Sequence, residues 1–202
     1  MSATRESMVQ LMRGVAIAEG LGSLSIGHWA AQSAEGEDRA MTEILEIVRN
    51  RERENAFLFR HRLEQLGESL ELPAWAPGGP LNDGSLTDTQ KLGWLYDSAE
   101  GFGALDHAAG DYKSQESAAS DWPEPERSLM AHYLFTERHS TKLLADAWMA
   151  RDPDAALASD RFAAEASRAP NSRDEGGALG APWGPVMEPL GENLDNWDSP
   201  YR

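Results

Sequence analysis

The sequence predicts an all-α protein, a four-helix bundle with a short fifth helix and an irregular C-terminal tail. Apolar residues recur every three or four positions in four long segments, which is the period of a helix face. No segment shows the strict alternation of a half-buried β-strand. A stretch rich in Pro and Gly follows the second segment, and a helix cannot continue through it. We therefore expect four helices that each bury one face in a common core.

The first two predicted helices span residues about 4–32 and about 38–66. Asp38 stands near the start of the second helix, where an acidic cap is favoured. Gly67 follows its last apolar residue and is a natural helix stop.

The third predicted helix begins at Thr87 and runs to about residue 108. Thr87 and Gln90 have the spacing of a capping box, in which each side chain bonds the other residue's backbone N–H. The fourth helix is expected to begin near residues 121–123, because Pro is tolerated in a first turn, and to end before Asp152. A short fifth helix is expected over about 153–167.

These elements divide the chain into three parts: a bundle in residues 1–150, a short helical extension in 151–169 and a tail in 170–202. The tail holds five Pro and five Gly among 33 residues, too many for regular structure. It also carries large apolar side chains: Trp183, Met187, Leu190, Leu194, Trp197 and Tyr201. The tail is expected either to cover apolar surface of its own bundle or to dock a partner subunit.

Composition excludes several classes of function. The 202 residues are 41% hydrophobic and 26% charged, which is typical of a soluble globular protein. A net charge of −16 argues against a nucleic-acid or anionic-membrane surface. Without cysteine, the chain forms no disulfide, iron–sulfur cluster or Cys-based zinc site. The first residues lack a signal-peptide pattern, and no run of about 18 apolar residues occurs, so a cytoplasmic location is the expectation.

Three helices interrupt their apolar stripe with a glutamate near mid-length. Glu19 occupies such a position in the first helix, Glu52 in the second and Glu137 in the fourth. Each of the last two is followed three residues later by another polar residue on the same face, Asn55 and Ser140 respectively. Buried charge is costly unless it is paired, so these positions suggest a ligand. Carboxylates that converge in a helical bundle typically bind hard divalent cations.

The third helix is less regular. Its apolar residues form two adjoining faces, and Glu100 lies on the face that also carries Tyr96. Glu100 is therefore either directed inward beside Tyr96 or placed at the flank of the helix.

The chain resembles the ferritin-like superfamily, and its rubrerythrin-like branch in particular, over about residues 4–150. The second-helix stretch ERENAFLFRHRLEQLG, residues 52–67, looks like that family's second-helix signature, and the fourth helix carries the related run Glu137-Arg-His-Ser140. The resemblance implies a homodimer, or a partner subunit contacted through the tail. It also implies two iron or manganese ions per chain, used in O₂ or peroxide oxidoreductase chemistry, with these metal ligands: Glu19, Glu52, Glu100 and Glu137.

The chain departs from the family pattern at both expected histidine ligands. Asn55 and Ser140 stand in their places. An Asn carbonyl can bind a hard cation, whereas Ser140 could at most hold a water. His139 lies about 100° round the helix and could serve only with a local distortion such as a π-bulge. Tyr96 or Tyr133 would be a radical or hydrogen-bonding neighbour of the metals.

Three hypotheses follow. In the first, the carboxylates bind two metals in an altered site. In the second, no metal is bound, and the chain is a degenerate ferritin-like subunit with a structural or protein-interaction role. Its glutamates would then share protons or draw on the charge of Arg51 and Arg62. In the third, the stripe is assigned wrongly and the glutamates are ordinary surface charges in i, i+4 pairs.

Overall fold

A computed structural model describes residues 5–71, 73–97 and 112–159 of the chain. These residues are mostly helical and contain no β-strand, which confirms the all-α prediction for this part of the chain. The helices are α1 (Arg5–Glu35), α2 (Arg39–Gln65), α3 (Asp88–Asp97), α4 (Tyr112–Ala119), α5 (Glu126–Arg151) and α6 (Pro153–Ala158), with a 3₁₀ turn at Pro80–Asn82. No helix among them is long and apolar enough to cross a membrane.

The first two helices form a hairpin whose ends match the predicted signals. The Asp38 carboxylate accepts a hydrogen bond from the backbone N–H of Met41 at 3.0 Å, as an N-cap does. Gly67 has φ +79°, and Glu68 N–H donates to Leu63 O at 2.9 Å, which closes α2 as a Schellman motif. Residues within one turn of each end therefore determine where α2 begins and ends.

The capping box predicted for α3 is present. Thr87 N–H donates to the Gln90 side chain at 2.9 Å, and Gln90 N–H donates to Thr87 Oγ1 at 3.2 Å. The expected continuation of this helix to residue 108 lies beyond Asp97 and outside the described residues.

The fourth long helix begins later than predicted. It starts at Glu126 rather than near residues 121–123, because Pro123 and Pro125 disfavour helical backbone in the residues before them. The short helix α4 was not predicted, since its eight polar and small residues lack a long apolar period. The fifth predicted helix is present as α6 and is capped by Asp152, which accepts from Ala155 N–H at 3.1 Å. It is shorter than predicted, because it ends at Ala158, where the next residue, Ser159, has extended backbone.

Two apolar clusters make up the core. The first apolar cluster joins the N-terminal half of α1, the C-terminal half of α2 and the N-terminal half of α5, and includes Met12, Phe59, Trp122 and Tyr133. The second apolar cluster joins the opposite halves of the same helices with α3 and α6, and includes Trp29, Leu45, Tyr96 and Trp148. Between the clusters, α1, α2 and α5 each contribute about one to two turns of more polar sequence.

Asp88 fastens the start of α3 to α1. Its Oδ1 accepts hydrogen bonds from Trp29 Nε1 at 2.6 Å and from Ser33 Oγ at 2.7 Å, and both of these residues are buried. Replacing this carboxylate leaves two buried donors without an acceptor.

Asp88→Ala should therefore lower the free energy of unfolding by about 2 kcal/mol, the cost of leaving buried donors unsatisfied. Urea unfolding followed by circular dichroism measures it. The control is Asp146→Ala, which removes an exposed partner of Lys142 and should cost at most about 0.5 kcal/mol. Equal losses in the two variants would contradict a structural role for Asp88.

Candidate functional site

Six polar side chains occupy the space between the two apolar clusters, and we call them the polar layer: Glu19, Glu52, Asn55, Thr136, Glu137 and Ser140. Glu19 comes from α1, Glu52 and Asn55 from α2, and the others from α5. The exposed fraction is 6% for Glu19, 8% for Glu137 and 0% for Asn55. Charges at the protein surface would not be buried to this degree, so the third hypothesis is wrong for Glu19 and Glu137.

Glu19 and Glu137 face each other across the layer, close enough for their carboxyl groups to hydrogen-bond. Two carboxyl groups can bond to each other only when one of them carries a proton. Burial, followed by the charges of Glu137 and Glu52, raises the pKa of Glu19 well above its ordinary range. A hydrogen bond from Asn55 offsets part of that increase. In the absence of a cation, the raised pKa of Glu19 therefore favours its protonated form.

Glu52 completes a group of three carboxylates. The residue as a whole is partly exposed, but its Oε2 atom is buried and has no hydrogen-bond partner within the described part of the chain. Burial, followed by the charge of Glu137, raises the pKa of Glu52 well above its ordinary range. Neither Glu19 nor Glu52 forms an ion pair with an Arg or Lys of the described chain.

Gly22 provides the space that the Glu52 carboxylate occupies. A Cβ atom built on Gly22 would lie 2.7 Å from Glu52 Oε2, closer than real Cβ contacts allow. Glycine inside a helix costs about 1 kcal/mol relative to alanine, so such a residue in mid-helix usually has a packing reason. Here the reason is the close approach of a carboxylate from α2.

Asn55 and Thr136 connect the layer to the backbone of α5. Asn55 Nδ2 donates to Glu19 Oε2 at 3.0 Å, and Thr136 Oγ1 lies 3.2 Å from Asn55 Oδ1. Thr136 Oγ1 also lies 2.9 Å from the carbonyl oxygen of Tyr133 in the preceding turn. Thr136 was not predicted as a site residue, although it lies three residues after Tyr133 and four before Ser140, which is the spacing of one helix face.

Ser140 lies one turn beyond Glu137 on the inner face of α5. It is 4% exposed, and its Oγ has no hydrogen-bond partner in the described part of the chain. A buried hydroxyl without a partner is costly and commonly marks a place for a water or an ion.

Arg51 and His139 lie at the edge of the layer. Arg51 Nη2 is 2.9 Å from His139 Nδ1. The positive charge of Arg51 is attracted by the carboxylates of Glu137 and Glu54. The His139 ring stacks on Phe135 with 6.1 Å between centroids, and α5 is a regular α-helix through this turn. His139 is therefore directed toward Arg51, without the π-bulge that would turn it inward. Arg62 does not neutralise the glutamates of the layer, because its guanidinium pairs with Glu126 at 2.7 Å.

The two predicted tyrosine neighbours belong to the apolar clusters on either side. Tyr96 donates its hydroxyl to Thr141 O at 2.8 Å and stacks on Trp148. Tyr133 packs edge to face on Phe59, with 5.6 Å between centroids. The fourth predicted ligand, Glu100, lies outside the described residues, as does the C-terminal tail, so both stay predictions.

The polar layer fits a hard divalent cation by its donor chemistry. It offers three carboxylates, an amide and two hydroxyls, and two of its buried oxygens have no hydrogen-bond partner among the described residues, Glu52 Oε2 and Ser140 Oγ. As the side chains stand, no group of three or more carboxylates or imidazoles among the described residues already surrounds a metal position. A bound cation would therefore replace the proton on Glu19 and draw these groups together.

Comparison of the chain with protein-family models, curated proteins and solved structures finds no match.

Proposed function

We propose that the polar layer binds a divalent metal through Glu19, Glu52 and Glu137, as an altered carboxylate site of the ferritin-like type. The observation that carries this proposal is the convergence of three carboxylates from three helices, two of which have no cationic partner in the described chain. Like charges in a buried space repel one another and are unfavourable unless protons or a cation neutralise them. The buried oxygens without partners favour a cation.

The residues of the layer and its surroundings have separable roles in such a site. The three glutamates bind the cation, and each proton that they hold in its absence must leave when it binds. The apolar clusters on either side of the layer keep water away from it, which strengthens the attraction between the carboxylates and a cation. Bound manganese or iron would supply one-electron chemistry toward O₂ or peroxide. Arg51 would balance part of the charge of Glu137 from the edge.

A metal-free structural or protein-interaction subunit is the second candidate. It is supported by the hydrogen bonds that satisfy part of the layer without a cation: Asn55 donates to Glu19, and the Glu19 carboxyl group lies close enough to that of Glu137 to hydrogen-bond. In that case the raised pKa values keep the carboxyl groups neutral, and the layer is a buried hydrogen-bond network.

Elemental analysis of the purified full chain, expressed with iron and manganese supplied, separates the two candidates. We expect one or two metal ions per chain, two being the occupancy of the ferritin-like pattern, and loss of metal in Glu52→Ala/Glu137→Ala. Glu43→Ala is the matched control, because Glu43 lies on the exposed face of the same helix α2. Absence of metal from the parent protein, with a double variant of equal or greater stability, would establish the metal-free candidate instead.

A further inference from the structure

We propose that Asn55 is a reversible metal ligand, whose amide donates to Glu19 without metal and turns over to present its oxygen to a bound cation. The resulting donor set contains only oxygen in the described residues, which suits hard cations such as Mn²⁺. This inference rests on the proposed function of the polar layer. Two observations support it. The amide nitrogen of Asn55 faces Glu19, and the amide oxygen faces the hydroxyl group of Thr136.

The amide of Asn55 can turn without disturbing the packing. The residue is fully buried, with Nδ2 against Glu19 and Oδ1 against Thr136. Rotation by about 180° about its terminal torsion exchanges nitrogen and oxygen, and the outline of the side chain stays the same. Only the hydrogen bonds at the two ends decide which orientation is favoured.

Thr136 accommodates both orientations. Its hydroxyl has one hydrogen but two acceptors within reach, Asn55 Oδ1 at 3.2 Å and Tyr133 O at 2.9 Å, so it can satisfy only one at a time. After the amide turns, Thr136 accepts from Asn55 Nδ2 and donates to Tyr133 O. One N–H of the amide and the Thr136 hydroxyl are then both paired, so turning the amide costs no hydrogen bond on the α5 side.

The other end of the amide decides when turning occurs. Without metal, Nδ2 donates to the Glu19 carboxyl group, and this bond holds the amide in the observed orientation. With a cation on Glu19, an N–H directed at the same place is repelled by the positive charge, whereas Oδ1 is attracted to it. The cation therefore favours the turned orientation of the Asn55 amide, and Thr136 then accepts the hydrogen bond that Asn55 Nδ2 no longer donates to Glu19.

The donor chemistry of the loaded site sets its preference among metals. Three carboxylates, the Asn55 oxygen and the unpartnered hydroxyl of Ser140 are hard donors that suit Mg²⁺, Ca²⁺ and Mn²⁺. Imidazole and thiolate donors, which favour Zn²⁺, are missing from the described part of the layer. An imidazole placed at position 55 should therefore shift the preference toward Zn²⁺.

Mn²⁺ and Zn²⁺ affinities measured by calorimetry on the full chain test this inference. If Asn55 is a ligand, Asn55→Leu weakens Mn²⁺ binding by at least about 10-fold, because even a group that only orients a metal ligand typically contributes about 10- to 100-fold. If its amide only competes for Glu19, Asn55→Leu leaves the Mn²⁺ affinity unchanged or raises it, and the inference is overturned. Absence of Mn²⁺ binding to the parent protein would instead remove the proposed function itself.

A second variant keeps the test decisive if Asn55→Leu does not fold. Asn55→His should raise the ratio of Zn²⁺ to Mn²⁺ affinity at least about tenfold, because an imidazole suits zinc better than an amide does. Asn50→His is the matched control, since Asn50 is exposed on the same helix and reports any effect of an added surface histidine. A ratio that rises no more in Asn55→His than in this control would also overturn the inference.

Discussion

Gly22→Ala should abolish metal binding at the polar layer and leave the fold intact. The added methyl group would lie 2.7 Å from Glu52 Oε2, so the carboxylate must leave its present position. The displaced atoms are the end of a flexible side chain, and the backbone need not move. Replacing glycine by alanine inside a helix also adds about 0.5–1 kcal/mol of stability. Binding and stability are thus expected to change in opposite directions.

Calorimetric titration with Mn²⁺ and urea unfolding of the same preparation measure the two effects. The matched control is Gly27→Ala in the same helix, where the added Cβ would lie 2.9 Å from Arg49 Nε, again the end of a flexible side chain. This control should gain similar stability and keep the Mn²⁺ affinity of the parent. Parent-like Mn²⁺ binding in Gly22→Ala would show that Glu52 is not required where the structure places it.

The metal-free protein should lose stability as pH rises, and removing two of the buried carboxyl groups should prevent that loss. The pKa values of Glu19 and Glu52 are raised in the fold by burial and by neighbouring carboxylates. Above the ordinary glutamate pKa of about 4.5, the unfolded chain therefore releases protons that the folded chain keeps. The contribution of these two glutamates to the free energy of unfolding is therefore fully present below that pH, and it is lost as pH rises toward their folded-state pKa values.

Glu19→Gln/Glu52→Gln should be more stable than the metal-free parent at about pH 8, by about 1–4 kcal/mol, the range found when buried ion pairs are replaced by uncharged residues of similar volume. Urea unfolding in a chelator at several pH values from about 4 to 8 should show a steep decline for the parent and a shallow one for the variant.

The matched control for this experiment is Glu6→Gln/Glu43→Gln, with both changes on exposed faces of the same two helices. It should keep the parent's dependence on pH. A Glu19→Gln/Glu52→Gln variant that is less stable than the parent at about pH 8 would mean that the carboxylates stabilise the fold as anions, contrary to the raised pKa values.

Features that depend on residues close together in the chain were predictable from the sequence alone. The caps at Asp38 and at Thr87 with Gln90, and the stop at Gly67, lie where local spacing predicted them, because each bonds the backbone within one turn. The inward faces of Glu19 and Glu137 were also predictable, since helical periodicity states which side of a helix a residue occupies.

The contacts that those inward residues make depend on how the helices pack. Glu52 approaches Gly22, the Glu19 carboxyl group faces that of Glu137, and Thr136 contacts Asn55, and each of these pairs joins two helices. Periodicity gives the face of a residue but not its rotamer, the axial register of its neighbour or the distance between helices. The pKa values that make the layer a candidate metal site arise from those distances, so they follow from packing rather than from any single segment of sequence.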